Sequence, residues 1–124
     1  MSWESQIDEL TGTGKVTAAA FYGHDGAILA TSPGVSVGIP EIKKLVAAFD
    51  NDSEATSNGL FLEQTKFLYV SNKDGLLHVR DGTSGAVCVL TKKSLLIGFY
   101  QNDEVDNCIE AVKKTGESLR ALGN

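Results

Sequence analysis

Apolar residues crowd the last third of the chain into two short runs, GAVCVL at 85–90 and LLIGFY at 95–100, parted by the polar TKKS. Runs of six that are apolar on both faces fit strands covered on both sides and joined by a tight turn. Upstream, GLFL at 59–62, KFLYVS at 66–71 and LLHVR at 76–80 follow one another across short polar links. Links this short favour an antiparallel meander. Nearer the start, VTAAAFYG at 16–23 and AILATS at 27–32 flank HDG. Gly26 can take the positive φ of a hairpin turn there.

Three other stretches carry the helical period instead. Trp3, Ile7 and Leu10 fall at i, i+4, i+7, with Ser2 placed to cap and Glu4 suited to the positive N-terminal end. Ile42, Leu45, Val46 and Phe49 repeat the pattern behind Pro40, a first-turn residue. Val105, Cys108, Ile109, Val112, Gly116 and Leu119 form the longest stripe, running from the acidic Asp103 and Glu104 to Arg120. PGVSVG at 33–38 breaks the pattern, and DNDSEATSNG at 50–59 reads as a polar, turn-rich connection. The expected architecture is α+β, an antiparallel sheet sandwiched between helical layers, with the first and last helices paired on one face.

Composition narrows the class. A chain of 124 residues, 42% hydrophobic, suits one globular domain over residues 1–124. No apolar run approaches the roughly 20 residues of a membrane span, and the start lacks the basic and hydrophobic regions of a signal peptide, so a cytosolic protein with no transmembrane segment is expected. The net charge of −5 argues against nucleic acid, which is held by clustered Lys and Arg. The pairs Lys43-Lys44, Lys92-Lys93 and Lys113-Lys114 read as solvated faces. Cys88 and Cys108 lack zinc or redox spacing and are expected as buried reduced thiols.

Catalytic patterns are missing from the chain. His24 in a turn and His78 in a strand have no nucleophile at a motif spacing. TGTGK at 11–15 follows a helix and precedes a strand, the reverse of the order a phosphate loop needs, and reads as a helix C-cap. Asp50, Asp52 and Glu54 lack calcium-loop spacing. A binding module is expected, not an enzyme, with no metal and no cofactor.

MSW at the start, GTGKVTAAAFYGHDGAILATSPG through the first hairpin, TKFLYV, AVCVLTKKSLLIGFY and the final SLRALG occur in order over nearly the full chain. In that order and at those intervals they resemble the profilin family. The resemblance implies an antiparallel sheet between helical layers, and a protein of the cytoplasm, associated with the cytoskeleton and active as a monomer. It also implies monomeric actin on one face and proline-rich segments of actin regulators on the opposite one. Actin would meet Lys66, Tyr69, Ser71, Arg80, Asp106, Glu110, Lys113 and Lys114, with Asp81 and Leu90 where close relatives often carry Lys.

The proline site would be an aromatic platform between the first and last helices. Planar rings stack on the flat pyrrolidines of a polyproline II helix with little entropy lost. Trp3 is the ring retained, while Gln6, Leu29, Ser118 and Asn124 stand where relatives often carry aromatics. Proline recognition is therefore expected to be weak, since each ring contributes on the order of 1 kcal/mol. Phosphoinositide headgroups are the weakest implied ligand, given the acidic balance and the two missing lysines.

Two other classes fit parts of the pattern. A dimerising scaffold of the roadblock type also places a hairpin like DGAILATS between helices, but without the MSW start and the closing helix. A PAS-like sensor would need a polar-lined core pocket, which these strands do not supply.

Overall fold

The computed structural model describes residues 3–12, 14, 16–73 and 75–123. In chain order the elements are α1 (Trp3–Gly12), β1 (Ala18–Tyr22), β2 (Ile28–Thr31), α2 (Ile39–Asp50), α3 (Ser53–Asn58) and β3 (Leu60–Leu62). They continue as β4 (Thr65–Lys73), β5 (Leu76–Asp81), β6 (Ser84–Leu90), β7 (Leu95–Tyr100) and α4 (Val105–Ala121). All seven strands join one antiparallel sheet in the order β2-β1-β7-β6-β5-β4-β3. The meander from β3 to β7 and the first hairpin follow the hydrophobic pattern. The junction between them, β1 against β7 with Ala20 opposite Ile97, joins positions far apart in the chain.

Each face of the sheet carries its own core. Ile42, Leu45 and Ala48 of α2 and Ala55 of α3 pack with Leu62, Leu77, Val79, Cys88 and Ile97 on one side. On the other, Ile7 and Leu10 of α1 and Cys108, Val112 and Leu119 of α4 pack with Phe21, Val87, Val89 and Leu96. The expected sandwich, with the first and last helices on one face, is the observed one. The approach of α4 to the sheet is close: a Cβ at Gly98 would lie 2.6 Å from Val112. Only glycine lets helix and strand meet at that distance.

The connection at 50–59 departs from expectation. It contains α3, six residues of which Ala55 alone is buried, a stripe too short to show a helical period. The β3–β4 turn is also unusual for its residues, since Glu63 (φ 54°) and Gln64 (φ 66°) both sit in the left-handed region. The carboxylate of Glu41 accepts both of their N–H groups, at 3.1 and 2.8 Å, and that of Gly38 at 2.9 Å. One side chain thus holds the turn and the start of α2 together. At the end of α1, Gly14 (φ 76°) donates to the Thr11 carbonyl at 3.1 Å. That is the left-handed ending expected at TGTGK, although Thr13 and Lys15 lie outside the described residues, as does the expected cap Ser2. Among the described residues no helix is long and apolar enough to cross a membrane.

Candidate functional site

Coverage of the sheet is unequal. α4 packs over β6 and β7, and α1 over β1 and β2. On that same face, β3 and β4 leave large apolar side chains in solvent. Phe61 is 49% exposed, Leu68 65% and Val70 49%. Side chains alternate along strands, and directly opposed pairs share a face. Lys66 stands opposite Phe61, Leu68 opposite Arg80, and Ser71 opposite His78. A bulge between Tyr69 and Ser71 returns Ser71 to the face of Leu68.

The same alternation sends Tyr69 the other way. Tyr69 opposes Val79 and packs against the α2–α3 core. Its hydroxyl donates to Asp52 at 2.6 Å. Burial, then the neighbouring carboxylate, pushes its pKa up to about 12. Tyr69 therefore lies across the sheet from Lys66, Ser71 and Arg80, not beside them as expected.

At the upper edge of the bare face, the Arg80 guanidinium pairs with Asp103, and its Nε donates to the Gly82 carbonyl at 2.7 Å. Next to it the buried His78 shares a 2.6 Å hydrogen bond between Nε2 and the Tyr100 hydroxyl. Burial, and secondarily the Arg80 charge, lowers the His78 pKa.

The two flanks of α4 divide the expected helix residues. Asp106, Glu110 and Lys113 are exposed and spaced i, i+4, i+7. Arg120, two turns beyond Lys113, donates to the Leu90 carbonyl at 2.9 Å and approaches Gly75 between β4 and β5. This flank faces the bare strands. Lys114 lies on the other flank. With Ala111, Thr115, Ser118 and, from α1, Gln6, Glu9 and Leu10, it lines a cavity of about 170 Å³ between the helices. Lys114 is thus grouped with Gln6 and Ser118, not with Lys113.

Trp3 and Leu29 are half-buried and join the α1–α4 core. The Trp3 ring packs on Phe21 with centroids 5.0 Å apart and planes tilted by 46°. The side chain thus anchors α1 to the core while remaining partly accessible. Asn124 lies outside the described residues. Sequence reasoning missed Phe61, Leu68 and Val70. Apolar residues in an apolar strand read as core unless the extent of the covering helix is known.

Both cysteines are buried and unpaired. Burial pushes the Cys108 thiol up to about 12 and that of Cys88 upward as well, so neither offers a thiolate near neutral pH.

The family model described as Profilin matches residues 1–124. Profilin of Bombyx mori is 34% identical over 125 residues, covering 99% of each chain. The crystal structure of Acanthamoeba castellanii profilin II superposes with a TM-score of 0.93 at 34% identity, over 99% of this chain and all of that one. Mouse profilin IIa, solved in complex with a double repeat from the FH1 domain of mDia1, shares the fold at a TM-score of 0.87 and 18% identity, with both chains fully covered.

Proposed function

This chain belongs to the profilin family, and from that premise we propose that its bare sheet face binds monomeric actin while its α1–α4 side takes proline-rich segments weakly. Profilins are non-enzymatic proteins that bind actin and proline-rich segments, and membership sets aside the dimerising scaffold and the sensor. One observation carries the actin reading: Phe61, Leu68 and Val70 stand exposed on paired strands. Contiguous exposed apolar side chains rimmed by polar ones mark protein interaction surfaces. Lys66 and Lys113 supply cations at the rim, which favour encounter with an acidic surface. Asp106, Glu110 and Ser71 complete the face, and Tyr69 and Lys114 fall outside it.

The proline reading rests on Trp3 and Leu29, packed against the α1–α4 core, and on Gln6 and Ser118, which line the cavity between those helices. A single half-buried ring can stack a proline but cannot grip several turns of a polyproline II helix. Phosphoinositides are the weakest ligand, because Asp81 and Leu90 add no cations and the chain carries −5 overall. The protein acts as a monomer in the cytoplasm under this reading.

Titration into monomeric actin tests the main claim. A complex should form, and absence of binding at tens of micromolar protein would refute it. Polyproline peptide should shift the emission of the sole tryptophan with a dissociation constant in roughly the high-micromolar to millimolar range.

A further inference from the structure

Asn58 ends α3, and Gly59 leads from it into the edge strand β3. In an Asn-Gly pair the glycine puts no Cβ between its own backbone nitrogen and the asparagine carboxamide. Asn58 is exposed, and among the described residues no hydrogen bond holds its carboxamide. The fold in turn requires the glycine. Gly59 has a φ of 73°, and a Cβ there would lie 2.6 Å from the Phe67 carbonyl oxygen.

Helix α3 restrains this pair. The Gly59 N–H donates to the Ala55 carbonyl at 2.8 Å, so the nitrogen that could attack the side chain is turned back along the helix. The ties of α3 to the body lie at its start. The Tyr69 hydroxyl donates to Asp52 at 2.6 Å, Lys44 pairs with Glu54 at 3.6 Å, and Ala55 is buried. Thr56, Ser57 and Asn58 are exposed. A helix of six residues has little stability of its own, and opening its last turn costs far less than unfolding the sheet.

We propose that Asn58 is a site of spontaneous deamidation, gated by opening of the last turn of α3. The Gly59 nitrogen gives its proton to solvent base and attacks Cγ of Asn58. A C–N bond forms, the carboxamide C–N bond breaks, and ammonia leaves with a proton from water, closing a succinimide ring. Water then opens the ring. Attack at Cγ yields aspartate, and attack at the main-chain carbonyl yields isoaspartate; one water is consumed, one ammonia is released, and nothing is oxidised or reduced. Either product moves the formal net charge from −5 to −6. The new charge arises beside a rim cation, since the Lys66 side chain passes Gly59 with Cε 3.2 Å from where a Cβ would stand. Isoaspartate also adds a methylene to the main chain just before β3, the strand that carries Phe61. The modified protein therefore binds actin more weakly, a consequence that rests on the actin reading of the bare face.

Ageing the intact protein at mildly alkaline pH, with peptide mass spectrometry to read the amide-to-acid mass gain, tests the site without actin. Asn58 should convert about tenfold or more faster than Asn51, Asn72, Asn102 or Asn107, and more slowly than in the same chain unfolded in guanidinium chloride. Ala55→Gly, which weakens α3, should speed the native reaction about fivefold. Asn58→Gln, whose attack would need a six-membered ring, should remove it. Conversion in denaturant but none at Asn58 in the folded protein overturns the proposal. Equal rates folded and unfolded, or no response to Ala55→Gly, overturn the gate. The aged fraction, separated by its charge, should bind monomeric actin about two- to fivefold more weakly, and Asn58→Asp should reproduce the part due to charge. Asn58→Gln should keep its affinity through ageing. Equal affinity of aged and fresh protein refutes the consequence for actin. If fresh protein does not bind actin, the actin reading fails, while the mass gain still decides whether Asn58 is the modified site.

Discussion

The bare half of the sheet and the groove between α1 and α4 lie on opposite flanks of one helix and are built on opposite plans. On β3 and β4, apolar side chains stand in water on a pleated surface, with cations at the rim. In the groove Gln6, Glu9, Lys114, Thr115 and Ser118 share the walls with Leu10 and Ala111, while Trp3 is turned partly inward against Phe21. A surface with exposed apolar area and little to reorganise can bind on contact. A groove with a mixed lining must strip water from its polar side chains first, at a cost that each new hydrogen bond only partly offsets. The contrast teaches that the two proposed ligand sites on one small domain can be assessed separately, because α4 lies between them.

The largest test breaks the wall they share. Leu119 is fully buried under α4, and Leu119→Ala should cost about 2–5 kcal/mol by removing burial and leaving a cavity. Urea unfolding measures it, and both ligands should weaken together. If one site survived while the other was lost, α4 would not be the common support.

Next, Leu68→Asp combined with Val70→Asp should weaken actin binding about a hundredfold, equivalent to about 2.7 kcal/mol, with little change in stability. Peptide binding should be untouched. A stability loss as large as that of Leu119→Ala would show these side chains to be buried.

Trp3→Ala is smaller and points the other way. It should abolish the weak proline binding, leave actin binding intact and cost about 1–2 kcal/mol through lost packing on Phe21. Low-micromolar peptide affinity in the unaltered protein would mean that Gln6, Leu29 and Ser118 form a better platform than their chemistry suggests.

How much of this was legible follows from the distance over which each feature is written. The helical stripes and strand alternation are local, and they yielded seven strands and the first, second and last helices. α3 was not legible because SEATSN carries one buried residue. The β1–β7 pairing was not legible because nothing local encodes it. At the sites, simple spacing would have separated Lys113 from Lys114, since adjacent helical residues point about 100° apart. Alternation from Phe67 would likewise have turned Tyr69 inward. The family register overrode both signals. The exposed Leu68 and Val70 required knowing where α4 ends its cover, which only the packed structure supplies.

A pH titration adds a smaller effect on the bare-face side. His78 is buried beside Tyr100 and near Arg80, and its pKa is lowered. Above about pH 6.5 it is neutral folded or unfolded. Below that the unfolded chain takes up the proton and the fold resists it, so stability falls with falling pH, by at most about 1.4 kcal/mol per pH unit. Urea midpoints at pH 7.5, 6.5 and 5.5 should decline accordingly, and His78→Gln should flatten the slope.

The smallest effect draws the boundary between the two regions most finely. Lys113 and Lys114 are neighbours in sequence and exposed, yet only Lys113 lies on the flank toward the bare strands, while Lys114 lines the groove. Exposed charges act chiefly on the rate of encounter and are screened by salt. Lys113→Glu should therefore slow association with actin about three- to tenfold at low ionic strength, and the difference should shrink at 0.5 M salt, where the screening length is roughly 4 Å. Lys114→Glu should leave that rate within about twofold of the unaltered protein, because the helix lies between it and the partner surface. It should instead weaken proline-peptide binding slightly, by adding a second carboxylate beside Glu9. Stopped-flow association of each variant with labelled monomeric actin measures both. Equal slowing by the two reversals would place the partner across the crest of α4, and the two surfaces would then be one.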